Sequence, residues 1–152
     1  MARREFRDVG HVEGHWGRAG SGMLFTTGPK ILLLLRAHWV MEPGTWGIPG
    51  GAIPVDQHGK PMAPLASARK EAREEIGPLP KHEIAEKYVY TSGIQGAIGA
   101  FTFTTFIAKI AREFTPTLNE ESDDFMWWDP EHGPQLPLHY GVKALLRHWR
   151  LR

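Results

Sequence analysis

Three carboxylates lie close together in the run Lys70, Glu71, Ala72, Arg73, Glu74, Glu75, Ile76, Gly77. On a helix advancing about 100° per residue, Glu75 falls about 40° to one side of Glu71 and Glu74 about 60° to the other. All three then share one arc, beside an arc that carries Leu65, Ala68, Ala72 and Ile76. Like charges crowded on one turn repel each other. A hard divalent cation with oxygen ligands relieves that repulsion, and Mg²⁺ is the usual occupant where phosphates share the site. A Glu-rich helix face is by itself usually solvated surface. The surroundings separate this one from that case: Gly50 and Gly51 lie about twenty residues upstream, after Trp46, Gly47, Ile48 and Pro49, and a glycine closes the helix.

The elements that must hold these groups are legible in the same way. Pro64 to Ile76 is the clearest helix, with Pro64 in its first turn, Leu65, Ala68, Ala72 and Ile76 at helical spacing, and Gly77-Pro78 as its stop. Met23 to Thr26 and Ile31 to Ala37, split by Thr27 to Lys30, read as a β-hairpin whose second strand is buried on both faces. Glu42 to Gly51 contains two prolines and four glycines, which predicts a short extended piece ending in a close-approach turn. Asp56 to Pro61 is a polar loop. Glu86 to Ser92, Ala100 to Ile110 and Phe125 to Trp128 read as strands, and Val142 to Trp149 as a final helix with Val142, Leu145, Leu146 and Trp149 on one stripe. Strands before, between and after two helices predict an α/β sandwich.

Composition limits the classes of function. The 152 residues are enough for one domain with its own core. A formal net charge of +1 gives no bulk attraction to nucleic acid or to an anionic membrane, although local basic residues could draw a small anion. There is no cysteine, hence no disulfide framework, thiolate metal site or thiol nucleophile, which fits a reducing cytoplasm. The longest apolar run, Ile31 to Leu35, is too short to span a bilayer, and the first residues lack the apolar stretch of a secretory signal. Residues 1–16 read as an N-terminal arm and residues 17–152 as a single domain.

Taken together, these residues resemble the Nudix hydrolase family, the MutT-like pyrophosphohydrolases. The family signature runs Gly, five residues, Glu, seven residues, then Arg-Glu-aliphatic-x-Glu-Glu-x-Gly-aliphatic. Its second half is nearly complete from Lys70 to Gly77, with Lys70 in place of Arg. Gly44 to Gly51 is similar to the family's approach to the signature, Ser67-Ala68 to its small pair, and Leu118 to Trp127 to its later acidic loop and aromatic strand. The resemblance spans Gly17 to Leu146. Two departures stand out. Eighteen residues separate Gly51 from Lys70 where the signature has thirteen, and the signature's first Glu has no counterpart, with Asp56, Gln57 and Met62 nearby.

The resemblance implies a Nudix-type α/β/α sandwich with a mixed β-sheet. It also implies Mg²⁺-dependent hydrolysis (Mn²⁺ being the alternative) of a phosphoanhydride bond in a nucleoside diphosphate linked to another group, such as a nucleoside triphosphate or a nucleotide sugar like ADP-ribose. Glu71 and Glu75 become the principal metal ligands, with Glu74 as a further or water-mediated one and the Gly51 carbonyl joining them. Glu121 is the candidate general base or extra ligand, with Glu120 as runner-up. Catalytic roles thus fall to Glu74, Glu75 and Glu121. Lys70 or Arg69 would support the carboxylates, and Arg36, Trp127 and His139 are candidate substrate contacts. For Arg36 a plain surface arginine, and for His139 a capping or packing role, is an equal reading.

Other features stay bland. His11 and His15 sit in a Gly-rich stretch without a metal-binding context. One of Trp127 and Trp128 is core, and the other could stack on a base. Tyr88, Tyr90 and Phe101 are core or pocket wall. The Pro or Tyr that would sort substrates some fifteen residues past the helix is absent, with Ser92, Gly93 and Ile94 there instead. Partners are expected to be small nucleotides, with no stable nucleic-acid or membrane association; a homodimer is left open. The missing first Glu and Lys70 motivate an alternative, a non-catalytic nucleotide-binding sensor on the same scaffold. An interaction domain with a merely solvated Glu face is the third.

Overall fold

The computed structural model describes residues 2–8, 19–40, 42–92 and 101–149. Its strands are β1 (Ala2–Asp8), β2 (Ala19–Thr26), β3 (Ile31–Arg36), β4 (Trp46–Gly47), β5 (Gly50–Ala52), β6 (Glu83–Ser92), β7 (Phe101–Lys109) and β8 (Ser122–Trp128). Its helices are α1 (Pro64–Ile76) and α2 (Tyr140–Leu146). The main path of the sheet is β1-β6-β7-β2-β3-β4, with β5 added to β2 and β8 to β3. Pairing is mixed: β1 with β6 and β2 with β7 are parallel, and the other pairs are antiparallel. Ala2–Asp8, expected within the N-terminal arm, is thus an edge strand, while the rest of that arm, with His11 and His15, lies outside the described residues.

Period-two alternation divides the core into two layers. Met23, Phe25, Leu32, Leu34, Phe106 and Ala108 pack with Ala68, Ala72 and Ile76 of α1. Leu24, Ile31, Leu33, Tyr88 and Ile107 pack with Val142 and Leu145 of α2 and with Trp149. The five aliphatics of β3 therefore serve both layers, as a strand covered on both faces should, and the α/β/α sandwich follows. The small residues Ala68 and Ala72 let α1 lie close on the sheet. Pro64 opens the helix, and the Gly77 amide (φ 81°) closes it on the Arg73 carbonyl, so the expected bounds 64–76 hold. The last helix ends earlier than expected, with its C-cap at Arg147. Trp149 still enters the core, its indole N–H donating to Glu86 Oε2 at 2.9 Å.

The expected hairpin is a hairpin only at its tip. β2 and β3 pair at Thr26 and Ile31 and then diverge. The glycine-rich segment fills the wedge between them: Trp46 and Gly47 pair with Leu35 and Leu34 of β3, whereas Gly50, Gly51 and Ala52 pair with Gly22, Ser21 and Gly20 of β2. The Met23 amide donates to the Pro49 carbonyl at 3.0 Å between the two sets. Glycine is required here by space. A Cβ on Gly50 would come within 2.6 Å of the Ser21 carbonyl oxygen, and one on Gly22 within 2.7 Å of that of Pro49.

Candidate active site

The filled wedge brings its glycines under α1, and the helix presents its carboxylates to them unequally. Glu75 is only 7% exposed, and its Oε2 accepts a hydrogen bond from the Gly50 amide at 2.7 Å. Burial, reinforced by the charges of Glu121 and Glu71, pushes its carboxyl up to about 8, against the opposing pull of the Gly50 amide and Arg36. Glu71 is half-buried beside Gly51: a Cβ on that glycine would sit 2.9–3.2 Å from the Glu71 carboxylate. Burial and the neighbouring Glu74 and Glu121 raise the Glu71 carboxyl as well, partly offset by Lys70.

Glu74 is placed differently from Glu71 and Glu75. It is exposed and pairs with Lys70 at 3.0 Å, one turn back along the helix. Lys70 therefore supports Glu74, whereas Arg69 turns to His82, to which its Nε donates at 3.3 Å. Among the described residues no three His, Asp or Glu side chains are already gathered as a metal cage. The third carboxylate near Glu71 and Glu75 comes from the acidic loop instead. Glu121 is exposed, its charge is felt by both helix carboxylates, and its position is fixed by backbone bonds. Its carbonyl accepts from the Ala37 amide and its amide donates to Asn119 Oδ1, both at 3.0 Å. Asn119 in turn donates to the Glu74 carbonyl at 3.1 Å, tying the loop to α1.

Arg36 closes the group from the end of β3. Burial lowers its proton affinity, and Glu75, Glu42, Glu121 and Tyr140 restore part of it, so the guanidinium faces the carboxylates. Across Gly47 from Arg36 stands His139, since a Cβ on that glycine would meet His139 Cβ at 3.5 Å and Arg36 Cδ at 3.7 Å. His139 is the N-cap of α2. Its Nδ1 accepts from the Gly141 amide at the start of α2, and its ring lies 4.4 Å from that of Tyr140. Tyr140 approaches Tyr90 at 6.1 Å, Tyr90 is the register partner of Phe103, and Phe103 lies 6.1 Å from Phe101. An aromatic row therefore starts beside Arg36.

Trp127 is engaged elsewhere. Its indole N–H donates to the Phe114 carbonyl at 2.9 Å, and its ring packs edge-on against Phe114 in the layer under α1. Trp128 enters the opposite layer and donates to the Pro134 carbonyl, so both tryptophans are taken into core clusters. Sequence reasoning missed Glu42, Phe103 and Tyr140. The alternation of β7, which puts Phe103 on the face of Phe101, was the available signal for Phe103. Nothing local marks Glu42, which has a left-handed backbone (φ 54°).

The donor set suits a hard divalent cation. Burial first, and then the charges of neighbouring carboxylates, raise the proton affinity of Glu71 and Glu75, and the glycine backbone adjoins them. In this arrangement Glu71 and Glu75 would hold the ion, with Glu121 nearby as a further ligand or as a base, and the ion would neutralise and polarise a phosphate chain.

Comparison with known proteins identifies the family. Residues 17–149 match the model of the NUDIX domain family. A Mycobacterium tuberculosis protein with the provisional name 8-oxo-dGTP diphosphatase 3 is 32% identical over 137 residues, covering 86% of this chain and 61% of the relative. The chain thus spans about three-fifths of the length of that relative. The crystal structure of a Nudix hydrolase from M. smegmatis superposes with a TM-score of 0.64 at 26% identity, over 91% of this chain and 89% of that one. A MutT NUDIX hydrolase from Burkholderia pseudomallei gives 0.64 at 25% identity, over 88% and 98%.

Proposed function

Because this chain belongs to the NUDIX domain family, we propose that it is a divalent-cation-dependent hydrolase of a phosphoanhydride bond in a nucleoside triphosphate, with Mg²⁺ as the working ion. The observation that carries the reading is the meeting of Glu75 and Glu71 with the Gly50–Gly51 corner, within reach of the charges of Glu121 and Arg36. The diphosphatase name of the M. tuberculosis relative supports a triphosphate over a nucleotide sugar.

In this scheme a water adds to one phosphorus, the bridging P–O bond breaks, and the departing phosphate keeps the bonding electrons. Glu121, the exposed member of the group, takes the water's proton. Glu71 and Glu75, beside the glycine corner, would hold the cation, which would supply charge screening for the diphosphate, and Arg36 would bind a non-bridging phosphate oxygen. The aromatic row of Tyr140, Phe103 and Phe101 receives the base, a role that the core placement of Trp127 transfers to it. Glu74, paired with Lys70, keeps an outer place. The reading puts the protein in the cytoplasm, acting on small nucleotides. Among the described residues no helix is long and apolar enough to cross a membrane.

The sensor alternative draws on the exposure of Glu74 and the missing first signature Glu. A panel of nucleoside triphosphates and nucleotide sugars with Mg²⁺, read by chromatography, separates the two. Turnover of a triphosphate that vanishes in Glu75→Gln supports the hydrolase. Tight nucleotide binding without turnover by well-folded wild-type protein supports the sensor.

A further inference from the structure

Two serines flank Glu71, and the proposed chemistry gives neither of them a task. Ser21 and Ser67 are both 0% exposed, and neither hydroxyl has a hydrogen-bond partner among the described residues. Native cores satisfy almost all such groups, through a protein atom or an ordered water.

Their positions converge on one carboxylate. Ser21 is the register partner of Gly51, and residues directly opposed in an antiparallel pair point to the same face. The Cβ direction of Gly51 leads to the Glu71 carboxylate at 2.9–3.2 Å, so the Ser21 side chain borders that carboxylate from the sheet. Ser67 borders it from the helix, four residues earlier in α1 and on the same stripe. Register and helical spacing thus place both serines next to Glu71, and neither hydroxyl bonds to its carboxylate.

We propose that Ser21 and Ser67 together hold one internal water molecule that hydrogen-bonds the Glu71 carboxylate, which makes both serines positioning residues for Glu71. The donors and acceptors balance. Each serine O–H donates to the water oxygen, and the water donates to a carboxylate oxygen, giving it the three partners usual for a buried water. The water fixes the carboxylate without adding a charge to a site already crowded with them. The inference rests on the reading of Glu71 as a cation-binding group only for its effect on metal affinity; the water itself does not depend on that reading.

The test has two parts. A high-resolution crystal structure of the metal-free full chain is expected to show one ordered water within about 2.6–3.2 Å of Ser21 Oγ, Ser67 Oγ and a Glu71 oxygen. Thermal melts of Ser21→Ala, Ser67→Ala and the double variant, without metal, are expected to fall by roughly 2–8 °C for each single change. The double variant should fall no further than the worse single one, because both remove the same water. The Mg²⁺ concentration giving half the metal-induced rise in Tm is expected to increase roughly tenfold in each variant. A dry, well-ordered site, or alanine variants that melt higher than wild type, overturns the proposal, as does full additivity. If the wild type shows no Mg²⁺ response while the water and the melting cycle appear as described, it is the hydrolase reading that fails and the water site that stands.

Discussion

The Gly50 amide and the Glu75 carboxylate, separated by twenty-five residues of sequence, meet at 2.7 Å, so a backbone donor from the glycine corner holds the most deeply buried acid of α1. The bond stabilises the ionised form, burial opposes it, and burial prevails, which leaves the carboxyl at about 8.

The pH dependence of the metal-free protein follows. An ordinary carboxyl near 4.5 in the unfolded chain that rises to about 8 on folding binds protons more tightly in the native state. Its contribution favours folding fully below about 4.5, declines as pH rises, and is lost above about 8. The change is on the order of 5 kcal/mol across that window. Metal-free melts should therefore show Tm falling between pH 5 and 8, and Mg²⁺ should raise Tm more at pH 8 than at pH 6.

Neutralising the two acids separately gives different profiles. Glu75→Gln removes the buried charge while keeping an acceptor for the Gly50 amide. It should raise the metal-free Tm at pH 8 and lower turnover by at least about a hundredfold. Glu74→Gln touches an exposed pair with Lys70, so its Tm should hardly move and its turnover should fall less. Differential scanning fluorimetry and a nucleotide hydrolysis assay on both variants check the contrast.

Arg36→Ala removes the cation that faces Glu75 and Glu121. KM for the triphosphate should rise roughly tenfold or more. Arg36→Lys should recover only part of the loss, since an ammonium lacks the planar fork. Steady-state kinetics at saturating Mg²⁺ decides it.

A methyl group at Gly51 would strike the Glu71 carboxylate, the movable end of a side chain. Gly51→Ala should therefore fold and yet weaken Mg²⁺ binding. Gly50→Ala meets backbone at 2.6 Å and should cost far more stability. Gly44→Ala meets nothing within 4 Å but sits at φ 73°, so it should cost on the order of 1 kcal/mol with activity kept. Denaturant melts alongside Mg²⁺ titrations separate the three.

The extra loop between Gly51 and Lys70 closes on itself. The Met62 amide donates to the Pro54 carbonyl, Val55 bridges Pro61, and Asp56 Oδ1 accepts from the His58 and Lys60 amides. Replacing residues 55–61 by a two-residue turn should leave Tm within a few degrees of wild type and preserve turnover, as hydrolysis and melting assays would show.

The reach of the sequence can be traced through particular residues. Pro64 and Gly77 bound α1 by local geometry, which is why that helix was readable to the residue. The wedge between β2 and β3 was not, because β2 takes its main partners from β5 and β7, far along the chain. The helical projection placed Glu71, Glu74 and Glu75 on one arc. Only the position of the sheet decides that Glu75 is buried and Glu74 stays with Lys70. Glu121 was singled out through the acidic loop's resemblance, and its carbonyl is held by the Ala37 amide, a partner that no local pattern announces. Trp127 and Trp128 alternate as expected, yet which residues cover each face depends on Phe114 and Pro134, which no local pattern ties to them.

The glycine segment that zips β2 to β3 also carries the amide that grips Glu75. Hydrogen exchange at the Gly50 amide should therefore need the same opening that separates the strands of the sheet. On heating, activity should survive up to the main melting transition and vanish with it, with no earlier step in which the site alone softens.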